Sequence, residues 1–296
     1  MAVYKRTYKA YRGPLTPGWS RFMVLSRYGF ATLFDSRLFT GYTVLCMVPF
    51  LVGLVFVYFV HSSTAQTLLN IRFGQLEIGS LINGVWFMRF LAVQAWMSFL
   101  LTAWAAPGMV SKDFANSSIQ LYLSRPLSRA EYILGKVSVL GLLLSCTTWI
   151  PVLLMFLLHA GMQGHGWLWD NLWMAGAIIL SGLIWIGVVM LISMALAVWV
   201  KWRIASTGLM LATFFVLPGF GEATNLILRT PFGSLLNLPG TILLVWTRLF
   251  RLPWRLQGGR FGVVPLWSAW AMLLFVCAFS VWLLHRRLKA REVERS

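Results

Sequence analysis

Residues 172–200 read LWMAGAIILSGLIWIGVVMLISMALAVWV, a run without a single charge. About 20 apolar residues carry a helix across the roughly 30 Å hydrocarbon core of a bilayer, so this run is long enough to cross with tilt to spare. It is apolar on every side, and a surface helix of a soluble protein would be apolar on one stripe only. Composition extends the point to the whole chain. Of 296 residues, 59% are hydrophobic and 11% charged, against about a quarter charged in a soluble domain. Aromatics make up 15%, with 16 Trp, and mean hydropathy is +0.75. A soluble enzyme, a disordered chain and a disulfide scaffold are all excluded.

Five further runs flank the first. The predicted architecture is an all-α integral membrane protein with six transmembrane helices, over 38–60, 85–107, 132–158, 172–200, 204–220 and 263–285, in a single transmembrane domain over 1–296. Span two is expected to end at Pro107, and the fifth span is short. Between spans five and six, an outer loop over 221–262 contains Leu235–Trp246, apolar but too short to cross and interrupted by Pro239-Gly240. It reads as an interfacial or re-entrant piece.

Charge sets the expected orientation. Lys and Arg number eighteen before span one, between spans two and three, between spans four and five, and after span six. The other side carries six, five of them (Arg229, Arg248, Arg251, Arg255 and Arg260) in the last outer loop. Basic loops stay in the cytoplasm, so both termini are expected there. Trp167, Trp169 and Trp173 at one end of span four, and Trp199 and Trp202 at the other, fit aromatic belts. The net charge of +17 is explained by this bias, and no nucleic-acid partner is expected. The first 37 residues hold no apolar stretch, so no cleavable signal peptide is expected. Phe22, Leu25, Leu33 and Phe34, set among Arg21, Arg27 and Arg37, predict an amphipathic helix lying at the interface ahead of span one. Cys46, Cys146 and Cys277 all fall in apolar runs and read as small buried hydrophobes.

The most distinctive stretch is polar. The loop from Gly108 to Lys136 reads GMVSKDFANSSIQLYLSRPLSRAEYILGK. Ser117 with Gln120 forms one capping box and Ser128 with Glu131 another, while Pro126 disfavours helix at Arg125. The pattern predicts a two-turn helix, a proline break and a fresh helix start leading into span three. Two turns are unstable alone in water, so the short helix must dock. Its apolar residues, Ile119, Leu121, Tyr122 and Leu123, sit on the same side as the termini.

The run Gln120-Leu121-Tyr122-Leu123-Ser124-Arg125-Pro126-Leu127-Ser128-Arg129-Ala130-Glu131-Tyr132-Ile133-Leu134-Gly135-Lys136, with Ser111-Lys112-Asp113 upstream, resembles the signature of the ABC-2 type permeases, the membrane subunits of type 2 ATP-binding cassette exporters. Pro126 to Lys136 is the closest part; upstream the family commonly has an acidic residue with Gly-Thr, and this chain has Phe114-Ala115-Asn116-Ser117-Ser118. The resemblance implies that the cytoplasmic loop 108–131 carries a coupling helix seated on a separate ATPase. The implied contact residues are Asp113, Ile119, Gln120, Leu121, Leu123, Ser124, Arg125, Pro126, Ser128 and Arg129. It further implies two ATPase copies, a second permease chain of the same or a related kind, and residence in the inner membrane of a bacterium. ATP and Mg would be held by the partner. No GxxxxGK[ST] loop occurs in the chain, so it has no phosphate cradle of that kind.

Other constellations compete. Arg89 and Gln94 on span two are polar groups in a span, either functional or packed between helices; Arg89 can snorkel to the outer interface. Met155, His159, Met162 and His165 are residue types that suit copper, although Gly161 and Gly164 are expected to stop a helix there. Asp170 and Glu222 offer no nucleophile–base pair, which argues against an intramembrane enzyme. Ala177 with Ser181, and Gly141 with Ser145, have the spacing of close helix packing. The alternatives to an exporter subunit are a scaffold that recruits another cytoplasmic partner and a membrane component of copper handling.

Overall fold

The computed structural model describes residues 21–62, 81–115, 129–200, 202–253 and 264–293. Every described element is helical. Six helices are long and apolar enough to cross a membrane: Arg37–His61, Gly84–Val110, Glu131–Gln163, Leu172–Trp199, Arg203–Leu228 and Leu266–Arg287. Their number is that of the six apolar runs. Half or more of the most apolar window is buried in spans two, three and four, against 22% in spans one, five and six. The middle three are therefore the centre, and the other three wrap it.

Prolines divide the spans in a way that apolar runs alone do not show. Span one is two helices, α1 not included: α1 (Arg21–Phe34) precedes it, and α2 (Arg37–Leu45) and α3 (Val48–His61) form it. The chain bends at Cys46–Met47, just ahead of Pro49. Span two is one helix, α4 (Gly84–Ala115), with Pro107 inside it. Span three is α5 (Arg129–Thr147) and α6 (Trp149–Gln163), broken at Thr148 ahead of Pro151. A short α7 (His165–Asp170) leads to α8 (Leu172–Trp199), the fourth span. Span five is α9 (Arg203–Phe215) and α10 (Leu217–Leu228), bent at Val216 ahead of Pro218. A 3₁₀ turn (Phe232–Leu236) and α11 (Leu238–Leu249) follow, and α12 (Leu266–Val293) is the last span.

Each proline removes an N–H and pushes away the carbonyl four residues earlier. In hydrocarbon that carbonyl needs another donor. Two of the four find one on a different span. Pro107 frees the Ala103 carbonyl, and Thr207 Oγ1 on α9 donates to it at 2.9 Å. Pro151 frees the Thr147 carbonyl, which faces the Gln94 side-chain amide on α4. With its nitrogen turned toward the neighbouring carbonyls, Gln94 donates to Cys46 O at 3.0 Å and to Thr147 O at 3.1 Å, the only orientation in which the amide meets acceptors with a donor. One side chain thus ties the bends of spans one and three to span two.

Five expectations are corrected here. Pro107 does not end span two: with Ala103 served by Thr207, the helix runs on to Ala115, so the first eight residues of the 108–131 loop are helical. Span five extends to Leu228 rather than Phe220, because Pro218 bends the helix and does not stop it. Pro239-Gly240 starts α11 instead of interrupting it, since Pro suits the first helical turn and the Asn237 side chain accepts from Gly240 N. Gly161 is inside α6; only Gly164, at φ 96°, ends it. Of the three cysteines only Cys46 is buried, Cys146 being exposed and Cys277 intermediate.

Removing the Thr207 hydroxyl tests the proline account. Thr207→Val should lower stability by about 1–2 kcal/mol, the range of interhelical hydrogen bonds in membranes and of bared carbonyls. In a Pro107→Ala background the same change should cost much less, because residue 107 then supplies its own N–H. Equal losses in thermal melts of both backgrounds would refute the pairing.

Candidate functional site

The end of the bundle that carries α1 and the C-terminal part of α12 also carries both roots of the loop singled out above. One root is the end of α4 at Ala115, and the other is the start of α5 at Arg129. Asp113 and Arg129 lie on these helices. Ile119, Gln120, Leu121, Leu123, Ser124, Arg125, Pro126 and Ser128 lie outside the described residues, as does the short helix expected there. The described part of α5 begins at Arg129, with Glu131 in its first turn.

The described half of the motif has a definite packing role. Tyr132 is buried, and so is Lys136. Lys136 Nζ donates to the Met109 carbonyl of α4 at 3.2 Å, close enough to the Tyr132 ring for cation–π attraction, at 5.8 Å from its centroid. The Gly135 carbonyl accepts from Ser26 Oγ of α1 at 3.0 Å. Gly29 completes the clasp: a Cβ there would stand 2.9 Å from Val139 Cγ2 and 3.3 Å from Met109 Cε. Helix α1 is therefore locked across both roots at once. Its buried residues are Leu25, Ser26, Gly29 and Leu33, while Phe34 is exposed, because the docked face follows the 25–29–33 stripe rather than Phe34. Ser26, Tyr132 and Lys136 were not singled out as site residues; a Ser one turn ahead of a Gly on an apolar stripe was the available signal.

This clasp makes the roots one mechanical unit. Gly29→Leu should wedge α1 off α5. Expected results are loss of a disulfide engineered between the two helices and faster proteolysis ahead of residue 37; unchanged cross-linking would show that α1 does not depend on this contact.

A second feature lies in the middle of the bundle. Buried polar side chains on α4 form a column: Gln94, Ser98 and Thr102. Trp185 Nε1 on α8 donates to Ser98 Oγ at 3.1 Å. Beside it an apolar groove of about 520 Å³ is lined by Trp96, Trp185, Phe214, Phe215, Pro239 and Trp246, among others. Trp96 and Phe215, at 36% and 58% exposure, open it to the bundle surface. Helix α11 starts at this depth and ends at Leu249, near Gly84 and Trp173: Leu252 and the Phe250 carbonyl approach Gly84, and Arg251 stacks on Trp173 at 4.7 Å. The segment between spans five and six thus dips into the bundle and rises out again.

A family model described as ABC-2 family transporter protein matches residues 37–231, two thirds of the chain. The chain belongs to the ABC-2 transporter family. No curated protein matches the chain. As an ABC-2 protein it is the permease type of subunit, a multi-pass membrane component whose family works with ATP-binding cassette ATPases, and the absence of a phosphate-binding loop in its sequence agrees with that division of labour. The match ends at Pro231, before α11 and the last span.

The remaining candidates are placed as follows. Arg89 is exposed near the start of α4, as snorkelling requires. Gln94 is fully buried and packs between helices. Of the copper-type set, Met155 and His159 are buried on α6, Met162 is exposed, and the His165 side chain lies outside the described residues. The ring nearest His159 on another span is His61, with centroids 4.9 Å apart. Asp170 and Glu222 are both exposed.

Proposed function

We propose that this ABC-2 protein is the membrane half of an exporter, coupled through residues 108–131 to two copies of a cytoplasmic ATPase and paired with a second permease chain. ATP and Mg act on the ATPase. Both termini lie in the cytoplasm, as the charge bias favours, and the membrane is the inner membrane of a bacterium.

One observation carries the coupling reading: both roots of the loop are fastened to α1 and to each other, through Lys136, Ser26 and Gly29. A push on the two roots therefore moves spans two and three as a body. The bends at Thr148 and Val216 supply places where the far halves of spans three and five shift while the near halves follow the loop. Alternating access requires the ATPase to bind the two permease arrangements with different affinity, and a stiff connection is what lets that difference reach the groove beside Trp96 and Trp185. Reconstitution tests the reading. The chain alone should hydrolyse no ATP, and the chain with its ATPase in vesicles should show hydrolysis that changes on assembly. Assembly without any change in hydrolysis would favour the scaffold reading.

A further inference from the structure

Between spans one, two and five, on the side of the bundle that carries the loop roots, lies an apolar groove of about 400 Å³. Its walls are Tyr42 of α2, Leu100, Ala103 and Trp104 of α4, and Leu211 of α9. Among the described residues one charged side chain lines it, Arg203, the first residue of α9. The guanidinium lies over Gly108 of α4, where a Cβ would stand 3.7 Å from Cζ and 3.9 Å from Nη2. Arg203 is exposed, and it forms no ion pair among the described residues. From Arg203 to Leu211 the helix rises about 12 Å, so the charge sits at one end of an apolar trough. The hydroxyls along the way are already engaged: Thr207 Oγ1 donates to the Ala103 carbonyl at 2.9 Å, and Tyr42 Oη to the Met97 carbonyl at 3.2 Å. Leu100, at 44% exposure, marks the side on which the groove opens to the surface of the bundle. Trp202, next to Arg203, is exposed as well, and aromatic side chains of this kind gather at the headgroup level of a bilayer.

We propose that this groove binds an anionic phospholipid, with its phosphate on Arg203 and one acyl chain along Leu100, Trp104 and Leu211. Charge and polarity together select that occupant. An arginine at the membrane surface without a carboxylate partner attracts an anion, and its forked N–H groups match a phosphate. A groove that opens sideways from the spans is filled by what surrounds them, which is hydrocarbon. Only an amphiphile serves both ends of the trough. A free phosphate would leave the apolar walls uncovered, and an uncharged lipid would leave the guanidinium uncompensated. A zwitterionic headgroup brings its own cation beside Arg203, so a lipid of net negative charge is preferred. Such a lipid would touch α4 near Gly108 and α9 at its start, and so join spans two and five close to a root of the loop. The inference stands independently of the exporter reading.

The test uses the full chain, purified in detergent and stripped of lipid. Native mass spectrometry follows binding as dioleoylphosphatidylglycerol or dioleoylphosphatidylcholine is added. The anionic lipid should bind more tightly by roughly fivefold, the scale set by one basic residue near an anionic headgroup. Arg203→Gln should remove that preference and Arg203→Lys should keep part of it. Arg248→Gln, at the other end of the bundle, should leave it unchanged. Excess inorganic phosphate should not displace the lipid. A phosphatidylglycerol with a photoreactive acyl chain, used on the native chain, should label residues 100–104 and 211, a reading that does not depend on a variant folding. Equal binding of the two lipids, a preference that survives Arg203→Gln, displacement by inorganic phosphate, or labelling confined to other spans would each overturn the assignment.

Discussion

Gln94→Leu is expected to be among the most destabilising single substitutions in this chain, lowering stability by about 2–4 kcal/mol. The side chain is fully buried and serves carbonyls at the bends of two different spans, Cys46 and Thr147. Leucine fills the volume but donates nothing. A bared carbonyl in an apolar surround costs about 1–3 kcal/mol, although interhelical hydrogen bonds in membranes average nearer 0.6, and two are lost together. Gln94→Glu separates hydrogen bonding from shape. A neutral acid there donates one proton to one carbonyl, so its melting temperature should fall between those of the native chain and the leucine variant. A leucine variant as stable as the native chain would mean that the amide does not bridge the bends.

The largest functional effect is expected from Leu121→Asp with Leu123→Asp. If these residues seat on an ATPase, each buries apolar area worth about 1.5–3 kcal/mol. Losing both corresponds to roughly 10²–10⁴-fold weaker binding, enough to empty the complex at cellular concentrations. The spans should be untouched: the variant should insert, and melt within a degree or two of the native chain when the ATPase is absent. Pull-down of the ATPase and thermal melting, run together, give the two readings. A double variant that still holds its ATPase would remove the coupling role from this segment.

The spans were legible because a charge-free run of bilayer length has one physical solution. Leu172–Trp199 is the clearest case, with its ends within a residue of the run. The prolines were legible as defects but not as outcomes. Pro107 alone says that the Ala103 carbonyl is freed; whether the helix ends or continues depends on Thr207, on another span 104 residues away. The same holds for Thr147 and Gln94. Sequence spacing shows which groups lose partners, and only the fold shows which are served. The segment after span five is hard to read for a local reason: Pro-Gly looks like an interruption, while Asn237 just before it caps a new helix. Ser128 and Glu131 predict a helix start at the second root, because capping acts within one turn, and Ser128 itself lies outside the described residues. The clasp of α1 on that root was half readable. The apolar stripe was visible, but its partner, Gly135 on span three, was not. His61 and His159 carried no signal of approach, since nothing local relates the ends of spans one and three.

The central claim is that this permease works through a separate ATPase held by the loop between spans two and three. Affinity purification of the tagged chain from native membranes in mild detergent tests it most directly. The account predicts an ATP-binding cassette ATPase in matching amount, absent when residues 117–129 are altered. A chain that emerges intact and without any ATPase, under conditions that preserve comparable complexes, would contradict it.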